Sequence, residues 1–140
     1  MQSKEVDNII FIRLFENEDI LEQIKKSCKK HSVKTAVVLS GIGQIKNSKL
    51  GYFKKKGDYS PKKFNKPLEI LSLSGNVIKK DDDHIAHIHI VLGDEDKKAI
   101  GGHLLEGTIS VTAEIALLKT SIKLKRKIED KTGLQGLYLE

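Results

Sequence analysis

The sequence predicts an α/β (α+β) fold in which one principal amphipathic helix packs on a mostly antiparallel β-sheet. Residues 18–31 hold the one stretch with helical period, where Ile20, Leu21, Ile24 and Cys28 form an apolar stripe. Nearly everything after residue 32 reads as strands rich in branched residues or alternating in polarity. Short polar turns such as Asp81-Asp82-Asp83 and Gly93-Asp94-Glu95-Asp96 separate those strands.

Taken in order, Asn8–Phe15 is expected as a first, largely buried strand. Asn17 is a good N-cap, and Glu18 and Asp19 oppose the helix dipole in the first turn. Lys25, Lys26, Lys29 and Lys30 load the other face and the end of the helix, which closes near His31-Ser32. Val33–Leu39 is the next strand, closed by the turn Ser40-Gly41-Ile42-Gly43. Leu50–Lys54 continues the pattern into a basic loop, residues 55–63, and Pro67–Ile78 is a strand or strand pair. Ile85–Val91, Thr108–Lys119 and Ser121–Ile128 complete the sheet, and the tail Leu134–Leu139 packs back on it. In the 108–117 strand, Ile109, Val111, Ala113, Ile115 and Leu117 share one face and Thr108, Ser110, Thr112 and Glu114 the other. Lys123, Lys125 and Lys127 share a face of the last strand, a stripe typical of a solvated edge.

A length of 140 residues suits one domain, 1–140, with a real core. No apolar run approaches the roughly 18 residues that cross a membrane, so no membrane partner is expected. Met1–Asp7 lacks the apolar core of a secretion signal. The single cysteine, Cys28, forms no internal disulfide and sits on the apolar helix stripe as a small core residue. Both points fit a cytoplasmic protein.

The chemistry is concentrated in His87-Ile88-His89 and in Gly101-Gly102-His103. On a strand, residues i and i+2 project from one face about 6–7 Å apart, so two imidazoles converge. A third from His103 completes the three-ligand set with an open position that reactive zinc uses. Gly101-Gly102 is expected to turn the chain sharply before His103. Two solvated rings are the alternative reading of an i, i+2 pair. His84 falls on the opposite face of the strand and His31 near the helix end, so neither is a ligand candidate.

The net charge is +6, and of 25 basic residues only Arg13 and Arg126 are arginine. Lysine acts mainly as a point charge on phosphates, whereas arginine supplies the fork that reads base edges. An anionic partner is therefore plausible, with Lys54, Lys55, Lys56, Lys62 and Lys63 as nucleic-acid contacts. Solubility or a hot habitat explains the lysines equally well.

Several motifs in order resemble one family. They are Arg13-Leu14 with Glu18-Asp19-Ile20; Leu39-Ser40-Gly41-Ile42-Gly43; Leu50-Gly51-Tyr52-Phe53; residues 68–76, Leu-Glu-Ile-Leu-Ser-Leu-Ser-Gly-Asn; His87-Ile88-His89; and Gly101–Gly107 with Thr112-Ala113-Glu114. Nearly the whole chain resembles the PPC (plants and prokaryotes conserved) domain, stand-alone prokaryotic type, which is related to the domain of plant AT-hook nuclear-localised proteins. Asn17 stands where that pattern has glycine, and no Arg-Gly-Arg-Pro hook is present. The resemblance implies a compact α/β domain, a homotrimer, a DNA-binding or regulatory role, and His87, His89 and His103 kept together.

The expectation is thus a trimeric, basic, DNA-binding or regulatory protein carrying a divalent transition metal, zinc first, on those three histidines. DNA contact would be weak and phosphate-directed. The alternative is a metal-dependent enzyme or small-ligand module for a small anion or carbonyl compound. Glu114, Glu69 and Arg13 are the candidates to support the ion or serve as site acid, with Glu106 a further possible base.

Overall fold

Alternation decides the sheet. The computed structural model describes Met1–Glu140, in the order β1 (Gln2–Val6), β2 (Ile9–Phe15), α1 (Ile20–Lys30), β3 (Thr35–Gly51), β4 (Lys62–Phe64), β5 (Leu68–Lys80), β6 (Asp83–Gly93), β7 (Ala99–Thr120), β8 (Leu124–Ile128) and β9 (Gln135–Leu139). In β2, Ile10, Ile12 and Leu14 are buried while Ile9, Phe11, Arg13 and Phe15 face out. That strand is therefore half-buried rather than largely buried, and an unexpected β1 pairs with its outer edge.

All pairings are antiparallel. One edge of β7 pairs with β3, the other with β6 and then β2; β3 pairs with β5 and β5 with β6. Strands β7, β3, β5 and β6 thus close on themselves, which removes most free edges. The closure needs bent strands, and the register shifts four times between β3 and β7. Ser40-Gly41-Ile42-Gly43 is accordingly no terminating turn but an irregular stretch within the long β3. Opposite it, β7 carries extra residues between Ile109 and Ala113, so Val111 is thrown outward, 64% exposed, while its expected face-mates stay buried.

Helix α1 buries Ile20, Ile24 and Cys28 together with Ser27, and Leu21 packs partly against the core. Its N-cap is Asp19, whose carboxylate accepts from Glu22 N at 2.8 Å, not Asn17. Asn17 instead sits at φ +69° and donates its N–H to Ile109 O at 2.9 Å, pinning the loop to β7. The helix packs on β6, β7 and β2. Burial pushes the Cys28 thiol up to about 12, as befits an inert core residue. No helix is long and apolar enough to cross a membrane.

Residues after 120 leave the main sheet. Instead of finishing it, Leu124–Ile128 pairs with Gln135–Leu139 as a separate hairpin, with Lys123, Lys125 and Lys127 exposed. Arg126 points the other way and ties this hairpin to β5, Nη2 donating to Asn76 Oδ1 at 2.6 Å.

Candidate metal centre

Three short-range choices bring the histidines together. Period-two geometry puts His84, Ala86, Ile88 and Ile90 on the core face of β6, and His87 and His89 on the other. His84 is buried, and its Nε2–H donates to Val33 O at 2.9 Å, so it is a satisfied core histidine. His89 lies opposite His103 in the β6–β7 ladder, and His103 lies opposite Gly51 of β3. The third ring therefore arrives by strand pairing rather than by a turn. Gly101 and Gly102 are extended strand residues, correcting the expected sharp bend. Gly102 serves close approach: a Cβ there would meet Gly51 O at 2.8 Å. Gly75, at φ +145°, lets β5 pass against the His87 carbonyl, where a side chain would collide.

The Nε2 atoms of His87 and His89 stand 3.2 Å apart. Ring centroids are 5.2 Å apart for His87–His89, 5.1 Å for His87–His103 and 5.4 Å for His89–His103. One nitrogen from each ring lies within 4.8 Å of the others. Two imidazoles on a tetrahedral zinc at ~2.0–2.1 Å present nitrogens roughly 3.3–3.4 Å apart, so this pair is already spaced for an ion. His103 Nδ1 is buried with no hydrogen-bond partner. Such an orphan is destabilising by about 1–3 kcal/mol unless something satisfies it.

Burial, then the neighbouring His87 and His89, push the His103 imidazole down to about 4. Burial, the Arg126 guanidinium and His89 push His87 down as well. Both rings are thus neutral at pH 7, the form that offers a lone pair to a metal. Three converging imidazoles, two of them held neutral, could together hold a metal ion.

His87 and His103 border a cleft of about 470 Å³ whose walls include Tyr59, Ile85, Leu105, Arg126 and Glu129. Tyr59 stacks at a tilt on His103, 5.7 Å between centroids. Arg126, Glu129 and Tyr59 escaped the sequence reading, although Arg126 was marked by the scarcity of arginine. Glu114, Glu69 and Arg13 are not among the residues lining this cleft. Arg13 and Glu114 oppose each other across β2 and β7, and Glu69 accepts from Gln44 Nε2 at 2.8 Å. Glu106 accepts from Lys49 Nζ at 2.9 Å. Of the basic candidates, Lys54 and Lys55 are exposed, Lys62 lies over the Phe64 ring, and Lys63 is exposed on β4. Lys56 is engaged, donating to Asp130 O at 2.6 Å.

The model of the Plants and Prokaryotes Conserved (PCC) domain matches residues 1–121. The chain belongs to this family. A plant- and prokaryote-conserved protein of Pyrococcus horikoshii is 33% identical, with TM-score 0.81 over 99% of this chain and 96% of that one. A metal-containing protein of Archaeoglobus fulgidus is 31% identical, with TM-score 0.83 over 96% of this chain and 95% of that one. A candidate DNA-binding protein of Bacteroides thetaiotaomicron is 25% identical, with TM-score 0.90 over 99% of this chain and 96% of that one. The chain is also 28% identical over 131 residues to a bifunctional protein GlmU of Synechococcus, where the match takes in 92% of this chain and 20% of the relative. It therefore spans about a fifth of that protein's length. The PCC match ends before β8, while the Pyrococcus and Bacteroides structures each cover 99% of this chain and so take in the β8–β9 hairpin with the Arg126–Glu129 wall of the cleft.

Proposed function

We propose that this PCC-domain protein is a homotrimeric metalloprotein in which His87, His89 and His103 hold one divalent transition metal, zinc, with an open position facing the cleft. The observation that carries the reading is the convergence of three imidazoles within 4.8 Å, with two rings held neutral and a buried His103 nitrogen left unpaired. The metal-containing relative from Archaeoglobus fulgidus supports it. When bound, such an ion acts as a Lewis acid toward a ligand in its open position. Titrating the metal-free protein with cobalt(II) tests the site: d–d absorption saturates at one equivalent per chain if the reading holds.

Trimer formation is supported by an apolar surface across three strands. Ile9 of β2 opposes Leu118 of β7, which opposes Val37 of β3, and these are 37%, 38% and 44% exposed. Phe11, Leu39 and Ile42, all more than half exposed, extend the apolar character of β2 and β3. Patches of this kind mark interaction surfaces in soluble proteins.

A second role, DNA contact through phosphates, is favoured by the exposed Lys54, Lys55, Lys62 and Lys63 and by the description of the Bacteroides relative. With lysine so dominant over arginine, the contact follows backbone charge rather than base sequence.

A further inference from the structure

The cleft joins two features that one ligand satisfies together. Arg126 has its Nη1 on Gln135 O at 2.8 Å and its Nη2 on Asn76 Oδ1 at 2.6 Å, while Nε is buried without a partner. None of the chain's ion pairs includes Arg126. A half-buried guanidinium held by neutral groups alone keeps its full charge for something else. Asn76 is the β5 partner of His87, so the charge is anchored beside the histidines. The rest of the wall combines an apolar side, Ile85, Ala86, Leu105 and Leu134, with Tyr59, Gln135 and the Glu129 carboxylate, which restricts an anion to the Arg126 and histidine side. A volume of about 470 Å³ lies in the usual range for small-molecule sites.

We propose that the cleft binds a small organic oxyanion, whose carboxylate or phosphate is shared between Arg126 and the ion on His87, His89 and His103, and whose apolar body lies against Ile85, Leu105 and Leu134. This rests on the metal reading above. The hairpin β8–β9 supplies Arg126 and Leu134 and so sets the ligand class. A guanidinium fits either anion as a two-pronged donor, and the apolar wall selects against a bare, fully hydrated ion.

The test uses the full cobalt(II)-loaded protein with three probes of similar shape: benzoate, phenylphosphonate and the neutral benzamide. A saturable shift of the cobalt absorption is expected with at least one anion and not with benzamide. The stronger anion tells whether carboxylate or phosphate chemistry is favoured. Arg126→Gln is expected to weaken that anion about tenfold or more, and Arg126→Lys to restore part of the loss. Because Arg126→Gln also loosens the hairpin, Asn76→Ala serves as the second variant, removing the anchor while keeping the charge; it is expected to cost less affinity than Arg126→Gln. No saturable shift with either anion, equal binding of benzamide, or unchanged affinity in Arg126→Gln overturns the proposal. Should cobalt fail to bind, the metal reading falls by itself. The Arg126 Nε–H resonance, followed in the metal-free protein, then decides: displacement by the anions upholds the cleft, and an unmoved resonance rejects it.

Discussion

His89 and His103 are direct cross-strand partners in the β6–β7 ladder. The cluster is therefore a property of strand register, and whatever displaces β7 against β3 or β5 against β6 moves one of its histidines. Gly102 and Gly75 guard those two seams. Gly75→Ala combines a positive-φ residue with a collision at the His87 carbonyl, and is expected to lower stability by about 1–3 kcal/mol. Its metal affinity should fall as well. Chemical denaturation and a metal titration of the same variant check both halves, and a variant as stable as the parent that binds metal equally would reject the seam argument.

Acid should weaken the metal-free protein through His103. Its folded value, about 4, lies below the ordinary histidine value near 6.5, so the native state binds fewer protons between the two. That contribution is fully present above about 6.5 and is lost as pH falls through the folded value. Denaturant midpoints at several pH values between 7 and 4 should show a smaller acid loss in His103→Gln than in the parent. Identical pH profiles would contradict the assignment.

Light scattering should report three chains per particle. Phe11 is 65% exposed on the outer face of β2, and a charge there has no place in an apolar interface. Phe11→Glu is expected to give monomers with an unchanged circular dichroism spectrum. A monomeric parent protein at micromolar concentration would remove the trimer, and a dimer would keep the interface but discard the number.

If DNA is a partner, its affinity should fall linearly in log–log with salt and change little when the base sequence is scrambled. Replacing Lys54 and Lys55 together should flatten the slope by about two contacts. Replacing Lys56 should add little, because its ammonium already serves Asp130 O. No binding to duplex DNA at low salt would end this reading.

The helix stripe, the half-exposed alternation of β6 and the shared face of His87 and His89 were legible because each rests on local periodicity, whereas His103 joins them only through the β6–β7 ladder. His84, His87 and His89 sorted themselves onto faces by counting alone, and the structure places them so. What escaped depends on long-range pairing. Bulges between β3 and β7 leave Val111 outside and carry β3 through a Gly-rich stretch that reads as a turn. Gly101-Gly102 reads the same way until β6 is seen paired with both residues and Gly51 of β3 close against Gly102. Arg126 reaches the cleft only because residues 124–139 fold into a hairpin of their own, and nothing in their composition announces where that hairpin lands.

Elemental analysis of the purified protein tests the central claim most directly. The parent, His87→Ala, His89→Ala and His103→Ala are compared with His31→Ala, whose ring instead contacts Ser3 Oγ at 2.9 Å. One zinc or other divalent transition metal per chain is expected in the parent and in His31→Ala, with most of it lost from the other three. Equal metal in all five proteins, or none in the parent after reconstitution, would contradict the account.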